Sequence, residues 1–316
     1  MRDAFVVVAC GSHTSVQDLG RFGYQHMGVP VSGALDPMAH CIANWLVGNP
    51  EACATLEITM AGPSLEVLEE TDIALTGAAF DFTINGRPRR QWESIRVRRG
   101  DRIRVAFAES GCRAYLGVSG GIAVPSVLGS RSTFASAKLG GIEGRLIREG
   151  DRLKRGDREL LPRPRRLPWT PLYAREITLR AVPGPYEHFF KTSGALFFST
   201  AFTVSAQTNR MGCRLDGPAI ARNDGAPQSI LSEPVMPGNV QIPAGGQPII
   251  LMHEQTIGGY ASIATVISSD LFKVAQATPG ETIRFVPVSL GEAHCIYRQW
   301  NGYLKEIQAL LCAPPE

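Results

Sequence analysis

Apolar and polar residues alternate along most of this chain, and glycine or proline interrupts the alternation about every ten residues. Residues 64–68, 73–76, 81–84, 94–97, 102–106 and 114–118 carry the period of two that a half-buried strand requires. Arg102-Ile103-Arg104-Val105 is the clearest case, with charged and apolar side chains taking turns. A helical period occurs twice. Over residues 35–46 it places Met38, Cys41, Ile42, Trp45 and Leu46 on one face, with Asp36 or Ser32 available to cap the start. Over residues 292–311 it aligns Ile296, Trp300, Tyr303, Leu304, Ile307 and Leu311 in a stripe. The pattern predicts a mainly β protein with a few short helices and a C-terminal helix.

A chain of 316 residues has room for two cores. Between residues 145 and 171 the composition turns to arginine and proline, which suits an extended connector because proline withholds a ladder donor and restrains its predecessor. The boundary is expected there, giving domains at 1–165 and 166–290 and a terminal helix at 291–316. The halves also echo one another. Gly100-Asp101-Arg102-Ile103-Arg104-Val105 is matched by Gly280-Glu281-Thr282-Ile283-Arg284-Phe285, and Arg21-Phe22-Gly23 by Arg210-Met211-Gly212, as in a duplicated β domain.

Charge and cysteine usage narrow the function. The formal charge of +3 is the difference of 32 basic and 29 acidic residues, too even a balance for a nucleic-acid or membrane-surface protein. Arginine clusters at 87–104 and 145–166 fit solvated faces and a linker, or small anions. Seven cysteines with no Cys-x-x-Cys pair predict buried thiols of a reducing compartment. The N-terminal apolar run stops after Cys10, and no stretch has the length of a membrane span, so a cytoplasmic location is expected.

Several familiar motifs fail. Gly117-Val118-Ser119-Gly120-Gly121 has the spacing of a nucleophile elbow, but β-branched residues and Pro125 oppose the helix that such an elbow needs. No glycine precedes a lysine, which excludes a Walker-type phosphate loop, and no lysine is flanked by methionines as in a biotin carrier. The six histidines lack ligand spacing, so no metal is expected.

Two polar constellations remain. Residues 14–49 hold Gln17, Asp18, Arg21, Asp36 and Asn44 among glycines and prolines, a composition that contributes little core and can fix polar groups on a loop. In the second half, Gln241 precedes an apolar strand that delivers Glu254-Gln255-Thr256 into Gly258-Gly259-Tyr260. Amide, carboxylate, hydroxyl and phenol groups there suit a small amide or carboxylate, with Arg21 or Arg210 as a fork for an anion.

The run 14–49, Tyr115 to Ile122 with Val124-Pro125, Leu128 to Thr133, Asn209 to Leu215, Gly238 to Pro243 and Gln255 to Tyr260 resemble, in order, the allophanate hydrolase subunit 2 family, also called the biotin-dependent carboxyltransferase family. That family includes the C-subunit of 5-oxoprolinase and the KipI antagonist KipA. The resemblance covers residues 5–288 and implies two cyclophilin-like β-barrel domains. It implies partners too: a subunit 1 (KipI-like) chain, which is the B-subunit of 5-oxoprolinase, and the 5-oxoprolinase A-subunit. The expected reaction is ATP-dependent opening of 5-oxo-L-proline to L-glutamate, with ATP acting at the level of the complex and no covalently bound cofactor. Asp18, Glu254 and Arg21 are then the expected catalytic residues, with Asp18 or Glu254 as general base. Gln17, Asp36, Arg210, Gln241, Gln255, Thr256 and Tyr260 are expected to bind substrate. Carboxyl transfer to urea or a related amide, with a biotin carrier elsewhere, is the alternative enzyme reading. A regulator that binds a KipI-like inhibitor of a histidine kinase is the non-catalytic one. The family pattern has one residue between the acid and Gln-Thr-Thr-Gly-Gly-Tyr-Pro; here Glu254 abuts Gln255, and Ile257 and Ala261 replace Thr and Pro. The shorter loop moves the carboxylate by about 3 Å, one residue's rise along a strand.

Overall fold

The computed structural model describes residues 2–312. Contacts divide the chain into two units, one containing the residues up to Arg21, Ser32–Tyr173 and the chain from Leu304, the other Phe22–Val31 and Ala174–Tyr303.

The first unit contains nine strands in one sheet: β1 (Arg2–Ala9), β2 (His13–Gln17), β3 (Thr55–Thr59), β4 (Ser64–Val67), β5 (Thr71–Ile84), β6 (Arg87–Pro88), β7 (Ser94–Val97), β8 (Arg102–Val118) and β9 (Arg152–Arg155). The hydrogen-bonded order is β2-β3-β8-β4-β1-β9, and β5 branches from β8 to pair with β6 and β7. This sheet is a half-barrel whose inner side chains, among them Phe5, Leu56, Ile58, Leu75, Phe82, Ile103 and Leu116, form one buried cluster.

Where the alternation pattern suggests two strands on each side of a glycine, β5 and β8 run through. Gly77 takes φ 92° at a register shift between β5 and β8, and a Cβ there would run into the Arg113 carbonyl. The glycine therefore marks a bulge and a close backbone approach rather than a turn.

Helix α1 (Pro37–Leu46) packs on β5 and β8. Asp36 caps it by accepting a hydrogen bond from the Ala39 N–H at 3.0 Å, and Pro37 fills the first turn, where no backbone donor is needed. The helix backbone lies so close to β8 that a Cβ on Gly117 would approach the Ala43 carbonyl oxygen to 2.6 Å. Gly117 and Ser119 therefore serve packing and a turn: β8 ends at Val118, and Ser119 is buried with its N–H bound to the Asp72 carbonyl.

The arginine-proline stretch is packed, which corrects its reading as an extended connector. Arg96 Nη2 donates to the Leu161 carbonyl at 2.6 Å, the Leu161 N–H to Asp72 Oδ2 at 2.7 Å, and the Arg165 N–H to Ser94 Oγ at 2.7 Å. Leu167 is buried beside them. Arginine rims this stretch while its backbone donors and acceptors are spent on β5 and β7.

In the second unit, β10 (Glu176–Pro183), β11 (Ala201–Val204), β12 (Gly212–Asp216), β14 (Asn239–Gln241), β15 (Ile249–Leu251), β17 (Ser262–Val266) and β18 (Thr282–Pro287) form a closed barrel, β10-β17-β14-β15-β12-β11-β18. Two short strands, β13 (Glu233–Pro234) and β16 (Ile257–Gly258), pair outside it. The parallel pairing of β10 with β18 closes the barrel. Phe197 of α2 (Lys191–Ser199) stacks on Phe285 at 4.4 Å between centroids, with Phe202 beside both. Short helix α3 (Leu271–Gln276) presents Phe272 to Trp300 of α4 (Leu290–Cys312), the rings stacked 5.1 Å apart. Helix α4 is the expected terminal helix; residues 313–316 of that expectation lie outside the described residues.

The echo between the halves has a local physical cause. In residues 98–101 and 278–281 the third residue is a glycine at φ 90°, and the acid that follows accepts from the first residue's N–H, at 2.7 Å for Asp101 and 2.8 Å for Glu281. Residues 148–151 form the same turn, with Gly150 at φ 85° and Asp151 accepting from the Arg148 N–H at 2.8 Å. Two of these three turns lie in the first unit, so the shared text reflects a turn that demands glycine at a left-handed position and an acceptor after it.

Candidate functional site

In the first unit the loop after β2 is knotted to residues 127–133. Asp18 is buried and its carboxylate is saturated: it accepts from Ser130 Oγ at 2.6 Å, Ser132 Oγ at 2.5 Å, the Arg131 N–H at 2.5 Å and the Gly20 N–H at 2.9 Å. Burial pushes this carboxyl up, but the hydrogen bonds from Ser130, Ser132, Arg131 and Gly20 together hold it below the usual aspartate value. Such a group is a poor proton acceptor at neutral pH and a strong anchor.

Arg21 is 1 % exposed, with Nε donating to the Val127 carbonyl at 3.0 Å and Nη2 to the Ser132 carbonyl at 2.9 Å. Its Nη1 is buried without a hydrogen-bond partner among the described residues. Burial lowers the pKa of the guanidinium and the Asp18 charge opposes that, so it remains a cation. A Cβ on Gly140 would come within 2.8 Å of Nη2, and Gly140 lines a cavity of about 450 Å³ together with Val124, Val127, Lys138 and Glu143. Gln17 lies in the same knot, its Nε2 donating to Ser15 Oγ and to the Thr133 carbonyl, its Oε1 buried with no partner among the described residues.

Asp36 stands apart from this knot. Besides capping α1 it accepts from the Tyr173 hydroxyl at 2.9 Å, and its N–H donates to the Tyr115 hydroxyl at 2.8 Å. Tyr115 donates in turn to Glu57 Oε2 at 2.8 Å, which also accepts the Leu35 N–H. Burial and then the Glu57 and Asp36 charges push the Tyr115 phenol well above its ordinary value, so it stays a donor. The buried Glu57 is not legible as a site residue because it sits inside the strand text Thr-Leu-Glu-Ile-Thr.

In the second unit Arg210 Nε donates to Glu254 Oε1 at 2.6 Å, and both side chains are at most 9 % exposed. Gln241 is buried against the Gly258 backbone, where a Cβ would collide with its amide, and its Nε2 has no partner among the described residues. Gly258 is thus required for close approach. Gln255 and Thr256 are half-buried and Tyr260 is 41 % exposed, so the strip from Glu254 to Tyr260 runs from an enclosed ion pair to an open phenol.

Gln25 belongs to this strip, and residue type alone does not single it out. Its Nε2 donates to the Val235 carbonyl at 2.5 Å and the Thr256 carbonyl at 2.9 Å, holding residues 22–31 against the second unit. The run 14–49 is therefore divided: Gln17, Asp18, Arg21 and Asp36 lie in the first unit, whereas Gln25 lies with Gln241 and Thr256. Among the described residues no group of three or more His, Cys, Asp or Glu side chains is placed to hold a metal ion, and no helix is long and apolar enough to cross a membrane.

A family model described as the carboxyltransferase domain, subdomains A and B, matches residues 27–287. The chain belongs to this carboxyltransferase-domain family. The family resemblance read in the sequence holds, and within the family the chain is similar to proteins of two kinds. It is 39 % identical over 303 residues to the C-subunit of 5-oxoprolinase from Escherichia coli (strain K12), covering 95 % of this chain and 96 % of that protein. It is 37 % identical to the urea amidolyase of Lachancea kluyveri, where the match takes 96 % of this chain but only 18 % of the relative. The crystal structure of the Kluyveromyces lactis urea carboxylase superposes with a TM-score of 0.89 at 34 % identity, over 99 % of this chain and 30 % of that one. The mainly β, carboxyltransferase-domain fold is common to all.

Proposed function

We propose that this chain is the C-subunit of an ATP-dependent 5-oxoprolinase that opens 5-oxo-L-proline to L-glutamate and works only with partners, a subunit 1 (KipI-like) chain as B-subunit and an A-subunit. One observation carries the reading: the match to the Escherichia coli C-subunit is 39 % identical and takes 96 % of that relative, so nearly all of it is represented in these residues. In the urea amidolyase relative, by contrast, the matching region is 18 % of the length.

A lactam is resonance-stabilised, and phosphorylation of its oxygen makes the ring carbon electrophilic enough for water to add. The C–N bond then breaks with the nitrogen leaving as the protonated amine, and a second water releases phosphate from the resulting acyl phosphate to give glutamate. ATP supplies the phosphoryl group at the level of the assembly. The chain's own contribution lies in the strip from Gln241 to Tyr260. The Gln241 amide, packed on Gly258, keeps an unspent Nε2 donor for a lactam or carboxylate oxygen, and Gly259, where a Cβ would meet nothing closer than 3.4 Å, leaves room for a small ring at the backbone. Arg210 orients Glu254 through the 2.6 Å bond, leaving Glu254 as the group to take or hold a proton. Gln255, Thr256 and Tyr260 edge the same strip. Asp18, Arg21, Gln17 and Asp36 shape the first unit, Asp18 as an anchor rather than a base.

A second reading, carboxyl transfer to urea or a related amide from a biotin carrier on another chain, draws on the family description and the likeness to urea carboxylase. The two diverge experimentally. Gln241→Ala and Glu254→Gln, assayed in the assembled complex, should lower glutamate release from 5-oxoproline by about 10²-fold, the usual cost of a lost positioned donor or base, while the partners still associate. Unchanged release in both variants would remove the strip from the chemistry. Loss of association with no turnover in the unsubstituted protein would favour the regulatory role.

A further inference from the structure

We infer that the first unit carries a second small-molecule site, a preformed pocket for a phosphate attached to a flat ring, of mononucleotide size. The pocket encloses about 430 Å³, within the range of small-molecule sites and larger than a bare anion or a single ring needs. Arg90 and Arg166 line it, both exposed and neither in an ion pair among the described residues. Exposed Arg2, Arg96, Arg98 and Arg152 are paired with carboxylates, whereas Arg90 and Arg166 are not and both face the same hollow. Two unpaired arginines lining one pocket offer forked donors suited to phosphate oxygens.

The apolar side comes from Trp169, 41 % exposed at the pocket, so a ring can lie on the indole. The frame behind it is rigid. Gln91 inserts its amide between β5 residues, donating from Nε2 to the Ala78 carbonyl and accepting the Phe80 N–H, each at 2.8 Å. Trp92 next to it is held at φ 63°, a left-handed conformation that a bulky residue rarely adopts, fixed by its N–H to the Leu75 carbonyl and by the Leu167 N–H to its own carbonyl. Tyr173 closes the end, its hydroxyl bound to Asp36. A strained, doubly bonded backbone beneath unpaired cations and an open indole is a built pocket rather than an incidental surface hollow.

This pocket goes beyond the 5-oxoprolinase reading and does not rest on it, because its test needs neither partner chains nor turnover. The probes are AMP, adenosine and inorganic phosphate, each titrated into the full chain by calorimetry, with Trp fluorescence as a second readout. AMP should bind at least tenfold more tightly than either adenosine or phosphate. Arg90→Ala and Arg166→Ala should each weaken AMP about 10- to 100-fold, as loss of a charge-assisted hydrogen bond predicts, and Trp169→Ala should narrow the gap between AMP and phosphate. Both arginines are exposed, and an unchanged Tm confirms that the variants fold. AMP binding no tighter than phosphate, or binding that ignores both arginine substitutions, overturns the inference. If AMP fails to bind while the assembled enzyme still releases glutamate, only this pocket is lost.

Discussion

Replacing Asp18 by asparagine separates an anchoring role from a catalytic one. The side chain keeps its size, but the new amide turns one of its two ends from acceptor to donor. Oδ2 now accepts the Arg131 N–H at 2.5 Å, so an NH2 placed there faces another donor, and the three bonds to Oδ1 from Ser130, Ser132 and Gly20 lose their charge assistance. A hydrogen bond to a charged group contributes about 1.5–3 kcal/mol, against about 1 kcal/mol for a neutral one. Losing one such bond outright and weakening three others, with partial relaxation of the loop, gives a destabilisation of about 3 kcal/mol. The assay is urea unfolding of the chain alone, followed by fluorescence, with Ser132→Ala as a milder companion that removes one hydroxyl. The pH dependence carries the same signature. Because the folded-state carboxyl lies below the unfolded one, its stabilisation is present above about pH 3.8, the ordinary aspartate value, and disappears as pH falls through the lower folded value. A midpoint that moves by less than about 0.5 kcal/mol, the size of an ordinary surface change, while turnover in the assembled enzyme collapses, would refute the anchor and restore Asp18 as a base.

Other expectations follow from single contacts. His40 is fully buried, bonded to Thr55 Oγ1 and the Glu51 carbonyl, and burial pulls its pKa down from 6.5 to about 4. Between those values the unfolded chain binds a proton that the folded one refuses, so stability falls by about 3 kcal/mol as pH drops from 6.5 to 4, and His40→Gln should flatten that slope; an unchanged slope contradicts it. Gly77→Ala should cost about 2 kcal/mol or more in thermal unfolding, from a left-handed φ and a Cβ against the Arg113 carbonyl, whereas Gly86→Ala, with open space around it, should cost only the backbone strain. Gln25→Ala removes two bonds to carbonyls and should speed amide exchange at Met27 and Gly28, measured by mass spectrometry, without exposing the barrel core; protection as in the parent would mean that Gln25 does not hold the loop. Among the thiols, exposed Cys295 and Cys312 should react with a disulfide reagent well before Cys41, whose thiol burial pushes up.

Periodicity exposed much of the fold and less of the site. Residues 94–97 and 64–67 are strands as their alternation predicts, and α1 and α4 begin within two residues of the predicted helices, because one-sided burial writes itself into the sequence. Glycine misled in two ways. At Gly77 it permits a bulge inside a continuous strand, yet at Gly100, Gly150 and Gly280 it permits a turn, and the residue alone does not say which. Helix α3 was not legible because six residues are too few to show a period. The arginine-proline stretch reads as a linker by composition, but its backbone is consumed by Ser94, Asp72 and Trp92, partners far away in sequence. At the site, residue types pointed to Arg210, Glu254 and Gln241; the structure pairs Arg210 with Glu254 and packs the Gln241 amide on Gly258. Composition said nothing of the four donors converging on Asp18, nor that Gln25, four residues after Arg21, would serve the other unit.

The central claim meets its most direct test in a glutamate assay: 5-oxo-L-proline and ATP with this chain alone, then with its cognate subunit 1-like chain and the A-subunit added. Glutamate formed only in the complete mixture, and lost when this chain is left out or carries Glu254→Gln, is the predicted result. A stable three-part assembly that releases no glutamate, or one that releases it equally well without this chain, would contradict the account.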